Sequence, residues 1–390
     1  MMKRKKNLKN LLKNTKMENN NSVCYVATIT EIRPIEGADN IELAVVGGWN
    51  AITKKGEYKA NDLIIVATTD AVIPQDLSDK MEVTNYLRKG QRVRTVKLRG
   101  VYSECLLIPY KFTKFAHKDG DDLMEELGIY KYEPPVKQVQ LASGRKIRYQ
   151  DNPNFHVYYK FPNLKNVDGM FTEEDTVEIT RKIHGTNARY GIVKKTKLTF
   201  WDKVKKFFGL ADKWIDYEFV VGSHNVEKGS DSQGFYDTNV WYQIADKYEI
   251  KKRLWEYVKS VAMEPEIGDG ITIYGEIYGA GIQKNYDYGL ADIQFVGFDV
   301  KENGEYLSPI NAKLLIANIL ELRYVEILHF GRWSQEVQDK FVFNNMIPGT
   351  KVPEEGIVIK YHTGERNKVA KVINPDYLIY GEKHNVGDSH

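Results

Sequence analysis

From Ser22 to about residue 135 the chain is a succession of short β-branched runs separated by turn signals, and this spacing constrains the fold more than any other feature. The runs are VCYVATITEI (23–32), IELAVVGGW (41–49), LIIVATT (63–69) and RVRTVKLRG (92–100). The breaks are PIEGADN, TKKGEYKAND, Pro74 and Gly90. Short runs rich in Val, Ile and Thr and bounded by Gly, Pro, Asn and Asp read as strands. Their size and spacing predict a five-stranded barrel over 22–135 with one short helix at most, an architecture that often serves as a nucleic-acid platform.

A second texture follows. Residues 136–154 read as a linker, with Pro134, Pro135 and Pro153 marking breaks. From 155 to 390 strands alternate with helices. VEITRKI, NARYGIVK, FVVGSH, ITIYGEIYG, IQFVGFDV and GIVIKY read as strands, and 243–264 and 309–322 carry apolar residues at helical spacing. An α+β domain of mostly antiparallel sheets flanked by helices is expected there. Neither GxGxxG nor GxxxxGK[ST] occurs, so dinucleotide-binding and P-loop readings lose their main support.

Composition narrows the setting. With 390 residues and a hydrophobic fraction of 42%, the chain has material for two globular domains. No run approaches the 18 or so apolar residues of a membrane span, and no secretory leader is visible, so no membrane partner is expected. Cys24 and Cys105 stand alone, which disfavours a zinc site or a disulfide framework and suits a reducing cytoplasm (a host cytoplasm if the source is viral). The net charge is only +3, so any nucleic-acid surface must come from local clustering. Residues 1–21, rich in Lys and Asn, read as a basic flexible tail.

Five segments of the second region can carry chemistry. Arg181-Lys182-Ile183-His184-Gly185-Thr186-Asn187 puts a lysine at a strand end before a glycine that allows close backbone approach. A lysine attacks phosphorus if its amine is neutral. Tyr274-Gly275-Glu276-Ile277-Tyr278-Gly279 sets a carboxylate in an apolar strand, where it can accept from ribose hydroxyls or hold a metal's water. Phe295–Val300 combines aromatic residues with Asp299, Glu354–Lys360 opens a buried strand with an acidic pair, and Arg366–Val372 interleaves cations with apolar residues. Inward lysines are costly unless they meet an anion such as phosphate. Each segment alone has a plain structural reading: a solvated strand-end lysine, a satisfied strand glutamate, a core strand.

In this order the five resemble the motif set of the covalent nucleotidyltransferases, the superfamily of DNA ligases, RNA ligases and mRNA capping enzymes. Lys182–Asn187 matches KxHGxN, the RNA-ligase form of the nucleophile motif, and Val221-Gly222-Ser223-His224-Asn225 resembles the motif that follows it. IRPIEGADNIELAVVGGW and RVRTVKLRGVYSECLLIP resemble the OB module that precedes the catalytic domain in one group of ATP-dependent RNA ligases. The resemblance covers roughly residues 22–385. It implies an OB-like β-barrel followed by an adenylyltransferase (ATP-grasp-like ligase) domain at 155–390.

The resemblance also implies a reaction. Lys182 would take AMP from ATP, pass it to an RNA 5′-phosphate, and release it when a 3′-hydroxyl attacks. Mg²⁺ or Mn²⁺ would assist. Glu276 would bind the ribose or a metal's waters, Phe298 would stack on adenine, Glu355 would orient a hydrated metal, and Lys368 and Lys371 would hold the α-phosphate. Asn187 and Asn225 would serve the phosphate, the metal or the RNA ends. The expected partners are ATP and RNA, as a nicked duplex or free ends, acting on a monomer. A DNA ligase is the nearest rival, and His184 and Asn187 argue against it. A capping enzyme would carry its OB module after the catalytic domain. A non-catalytic RNA-binding relative would have lost Lys182, Glu276 or Glu355.

Three positions depart from the family pattern. Arg181 stands where such RNA ligases commonly have Glu. Lys368 and Lys371 are three apart, which on a regular strand puts them on opposite faces. Glu104 and Cys105 replace a Gln-Gly-like pair in the OB module. A basic, aromatic stretch, Lys194–Lys213, adds helical apolar spacing at Phe200, Trp201, Val204, Phe207 and Phe208. The expectation is a surface helix with its aromatic stripe against the domain; the alternative is a clamp in which Lys205 and Lys206 meet nucleic-acid phosphates.

Overall fold

The computed structural model describes residues 22–88, 90–132, 152–167, 169–212, 214–228, 239–261 and 268–386. The basic tail at 1–21 and all but the end of the linker fall outside the described residues. The chain divides into two compact units. The first takes 1–135, 162–172 and 370–383; the second takes 136–161, 173–369 and 384–390. Among the described residues no helix is long and apolar enough to cross a membrane.

The first unit holds β1 (Cys24–Thr28), β2 (Glu31–Pro34), β3 (Ile41–Val46), β4 (Trp49–Lys54), β5 (Leu63–Thr68), β6 (Ala71–Val72), β7 (Val96–Leu98), β8 (Val101–Ser103), β9 (Cys105–Ile108) and β10 (Tyr130–Lys131). Two of the four expected strands are broken in two, and the last is shortened to β7. The first divides at Ile29-Thr30. The second turns at Gly47, where φ is +57°, and continues as a hairpin. The last turns at Arg99 and Gly100, with φ +49° and +81°. Two short helices, Gln75–Lys80 and Met124–Leu127, replace the single one expected.

The sheet β1-β5-β9 is buried on both faces. Cys24, Val26, Ile65, Ala67 and Ile108 enter one core, and Ala27, Ile29, Ile64, Val66, Cys105 and Leu107 enter the other. The period of two makes this possible with continuous apolar runs. The sheet β2-β3-β4 is joined to β8 and β9 through Glu104 N–H to the Asn50 carbonyl (2.7 Å) and Ile52 N–H to Ser103 Oγ (3.0 Å). Residues 162–172 complete this unit. Buried Glu104 accepts from Lys165 Nζ, which accounts for one departure noted above. Trp49 Nε1 donates to Asn166 Oδ1 (3.2 Å), and a Cβ on Gly48 would lie 2.7 Å from Lys165 Cα.

The second unit contains β11 (Thr176–Lys182), β12 (Thr186–Lys194), β13 (Tyr217–Gly222), β14 (Gly270–Gly279), β15 (Ile293–Glu302), β16 (Glu305–Tyr306), β17 (Ile327–Arg332), β18 (Gly356–Tyr361) and the first residue of β19 (Val369–Ile373). Every expected strand of this region is present. One antiparallel sheet has the order β13-β12-β14-β15-β16; the other has the order β17-β11-β18-β19, with the division between the units falling inside β19. Tyr190, Ile192, Ile273, Ile277 and Phe295 form a core with Trp241, Ile244, Leu254, Val258 and Ile316 from the covering helices.

Those helices differ from the expected spans. The stretch 243–264 contains parts of two helices, Val240–Lys247 and Ile250–Val261, broken at Glu249 with φ +49°. The second expected helix starts at Pro309 on a Ser308 cap and passes into a π-helical segment at Leu314–Ile319. The helix in the basic insertion is Phe200–Phe207. Its aromatic stripe does not pack on the domain: Phe200, Trp201, Phe207 and Phe208 are 73%, 69%, 84% and 66% exposed.

Candidate active site

The site lies where the chain crosses between the two sheets of the second unit. β11 ends at Lys182 in one sheet, and after three intervening residues β12 begins in the other. Gly185 makes the crossing possible. A Cβ there would meet the Ile277 carbonyl oxygen at 2.1 Å and Glu276 Cγ at 2.9 Å. Only a residue without Cβ lets β12 enter this close to β14.

Two registers then bring the expected groups together. Lys182 lies opposite Gly356 on β18, so Glu355 falls beside it, and Lys182 Nζ donates to Glu355 Oε1 at 2.6 Å. Across the crossing, Asn187 lies opposite Glu276 on β14, and directly opposed residues of an antiparallel pair share a face. Burial pushes the Glu276 carboxyl up to about 8; the Lys182 cation pulls it down and the Glu355 carboxylate raises it further. The whole residue keeps some exposed surface, but its carboxyl is desolvated. The other Glu355 oxygen and Asn187 Oδ1 are both buried without a hydrogen-bond partner. Lys182, Asn187, Glu276 and Glu355 therefore form one polar cluster with unused acceptors.

Arg181 has a clear structural role. Its side chain leaves β11 on the side opposite Lys182 and forms ion pairs with Glu354 and with Glu326, the latter at 2.8 Å. Its own N–H donates to the Glu326 carbonyl at 3.0 Å. Arg181 thus anchors Glu354 while Lys182 holds Glu355, so adjacent residues of β11 grip the acidic pair that opens β18.

A segment after β14, not singled out in the sequence, supports the loop that follows Lys182. Tyr288 Oη accepts from His184 N–H at 2.6 Å, and Gln283 Nε2 donates to the Gly185 carbonyl. Tyr286 Oη donates to the Pro353 carbonyl at 2.7 Å, just before the acidic pair, and its ring stands edge-to-face with His184 at 4.9 Å. The available signal was the pattern Tyr286-Asp287-Tyr288, two hydroxyl-bearing rings one residue apart before a glycine.

The other expected residues are placed as follows. Phe298 is half-buried, its ring 5.1 Å from Tyr158, and its carbonyl accepts from Lys360 Nζ at 2.7 Å. Lys360 and Arg366 both reach buried Asp299, at 3.2 and 2.9 Å, and Tyr158 Oη donates to the same carboxylate at 2.8 Å. The inward lysine of β18 therefore meets a protein carboxylate. Lys368 lies in the turn before β19 rather than on it, paired with Asp175 at 2.7 Å. Lys371 lies on β19 within the first unit, its N–H donating to the Pro162 carbonyl. Asn225 is exposed in the turn after β13, and no hydrogen bond among the described residues ties it to the Lys182 cluster. Lys205 is exposed, and Lys206 is held by both Asp216 oxygens at 2.7 Å.

The cluster suits a hydrated cation. Among the described residues no group of three or more His, Cys, Asp or Glu could enclose a metal. Glu276 and Glu355 supply two carboxylates, one with an unpartnered oxygen, which fits an ion that keeps most of its water, as Mg²⁺ does.

Comparison with known proteins accords with this arrangement. An OB-fold domain profile matches residues 23–110. No curated protein matches the sequence. Among solved structures, a Naegleria gruberi RNA ligase variant with AMP and Mn is 24% identical, with a TM-score of 0.68 over 93% of this chain and 99% of that one. A variant with ATP and Mn gives 0.67, and the same ligase with PPi gives 0.66, at the same identity and coverage. These likenesses establish the shared fold. The RNA ligase profile matches residues 175–373, just over half of the chain and the stretch that contains Lys182, Glu276 and Glu355, and the chain belongs to the RNA ligase family.

Proposed function

We propose that this protein is an ATP-dependent ligase that joins RNA 3′-hydroxyl and 5′-phosphate ends through AMP carried on Lys182. The observation that carries the proposal is the Lys182–Glu355 pair at 2.6 Å beside the desolvated Glu276 carboxyl, at the crossing between the two sheets. The binding of ATP, AMP, PPi and Mn by the Naegleria ligase supports the choice of nucleotide and metal.

In the first step the Lys182 amine forms a bond to the α-phosphorus of ATP and pyrophosphate leaves. The amine must first lose its proton, so the ion pair with Glu355 has to open. AMP then passes to an RNA 5′-phosphate, and Lys182 recovers a free amine. Finally the 3′-hydroxyl oxygen bonds to that 5′-phosphorus and AMP departs. All three are phosphoryl transfers, in which position and charge neutralisation dominate. A hydrated Mg²⁺ or Mn²⁺ held near Glu355 and Glu276 would neutralise phosphate charge. In this reading Glu276 accepts from the ribose, Asn187 serves the phosphate or the RNA ends, and the Phe298 ring stacks on adenine. Lys368 and Lys371 are the α-phosphate candidates; Lys368 would have to leave Asp175 to act.

The test is labelling. The protein is incubated with divalent metal and ATP carrying label on the α-phosphate, then run on a denaturing gel. Label on the wild-type chain and none on Lys182→Ala is expected. An unlabelled wild type, or undiminished label on Lys182→Ala, refutes the proposal. Nicked duplexes with RNA or DNA on the 3′-hydroxyl side then read the strand preference.

A further inference from the structure

The helix Phe200–Phe207 is oriented opposite to most surface helices, with its polar side toward the domain and its apolar side outward. Asp202 pairs with Lys195 at 3.1 Å and Lys206 with Asp216 at 2.7 Å, and these ion pairs tether it. Phe200, Trp201, Phe207 and Phe208 lie on one arc, and with Leu210, 76% exposed, they form a continuous apolar ridge. A soluble protein rarely leaves such a ridge uncovered without a partner.

The helix is built to stand without packing. Thr199 and Asp202 form a reciprocal capping box at its start. At its end Gly209 adopts φ +67°, Leu210 N–H reaches the Lys205 carbonyl and Gly209 N–H reaches the Lys206 carbonyl, which is a Schellman cap. Two caps stabilise a helix that is otherwise too short to persist.

Charge and ring geometry identify the partner. Residues 194–212 carry six lysines and two aspartates, an excess of four in a chain whose net charge is +3. Lys203 and Lys205 border the apolar arc on either side, and among the described residues only Lys195 and Lys206 of the six are ion-paired. The rings are paired edge-to-face, Phe200 with Trp201 at 5.7 Å and Phe207 with Phe208 at 5.2 Å. Rings turned against each other on a convex ridge do not offer successive open faces to stacked bases, and the arc holds no amide or carboxylate to read base edges. An apolar ridge flanked by lysines matches an acyl boundary beneath anionic headgroups.

We propose that this helix is a reversible anchor that inserts its aromatic ridge into an anionic lipid surface. The proposal is independent of the ligase reaction. The full chain is mixed with vesicles of phosphatidylcholine alone, or with a quarter phosphatidylglycerol, and binding is read by flotation at low and raised salt. Wild type should float with the anionic vesicles, less so as salt rises, and not with the neutral ones. Trp201→Ser/Phe207→Ser/Phe208→Ser should keep its melting temperature and nucleotide labelling but lose flotation. Lys203→Gln and Lys205→Gln should each weaken binding by about fivefold. All variants retain the basic stretch 1–21, so differences between them report the helix. Absence of wild-type flotation, or equal flotation of the triple variant, overturns the proposal. So does a triple variant that loses single-stranded RNA binding or self-association while still floating normally.

Discussion

Arg181→Ala should both destabilise the protein and slow its reaction with ATP. Glu354 is 8% exposed and Arg181 16%, so removing the guanidinium leaves a nearly buried carboxylate without its cation. Breaking a buried pair by removing one partner typically costs about 3–5 kcal/mol. Glu326 is 57% exposed, and its share is under about 1 kcal/mol. The expected loss is roughly 3 kcal/mol, toward the lower bound because water reaches part of the Arg181 side chain. For a domain of this size that lowers the melting temperature by about 6–12 °C. The acidic pair is shared with Lys182, so a released Glu354 also loosens Glu355, and labelling should slow by about tenfold or more. Arg181→Lys keeps a charge without the fork and should fall between. Arg181→Ala/Glu354→Gln removes the orphaned charge and should recover most of the lost stability. Calorimetry and the labelling rate measure both effects. An Arg181→Ala protein that melts within about 1 °C of wild type and labels at its rate would refute the reasoning.

Gly185→Ala would drive a Cβ into the Ile277 carbonyl and should cost about 1–3 kcal/mol in thermal denaturation while reducing labelling more than any exposed substitution does. Glu276 has its carboxyl raised from 4.5 to about 8, so between those values the folded state holds the proton more tightly than the unfolded state does. Stability contributed at this position should therefore fall as pH rises from 4.5 to about 8 and then level off. Glu276→Gln should match wild type at low pH and exceed it above pH 8 by on the order of a few kcal/mol, and parallel denaturation curves that never diverge would contradict this. Tyr288→Phe removes the acceptor of the His184 N–H and should slow labelling more than it lowers nucleotide affinity, read by single-turnover kinetics. Asp299→Asn leaves Lys360 and Arg366 without their shared anion and should weaken nucleotide binding through the displaced Phe298 backbone, read by titration with ATP.

The strands of the second unit were legible because β-branched runs and glycine breaks are local signals, and Lys182, Glu276 and Glu355 were legible because their order along the chain is a pattern. What remained hidden depends on distant partners. Arg181 stood out as a departure, but its role appears only when Glu326 and Glu354 are folded against it. Tyr286 and Tyr288 were not singled out, because only the folded chain brings the Tyr288 hydroxyl to the His184 N–H and the Tyr286 hydroxyl to the Pro353 carbonyl. Glu249 broke a helix whose apolar spacing ran on without interruption. The aromatic helix misled for the opposite reason: amphipathic spacing specifies two faces, and ion pairs at Asp202 and Asp216 decided which one turned outward.

The three-part composition of the first unit bears on the order in which the protein matures during synthesis. β1 to β9 leave the ribosome early, but Glu104 remains a buried carboxylate without a cation until Lys165 emerges. Arg94 and Lys97 then wait for Glu382 and Asp376, more than 270 residues later in the chain. Contacts of such long sequence separation form slowly. A nascent chain that stalls after Val372 therefore contains all five candidate segments of the second region, yet its first unit still lacks the helix Pro375–His384. Completion of the first unit is thereby tied to the synthesis of Asp376 and Glu382.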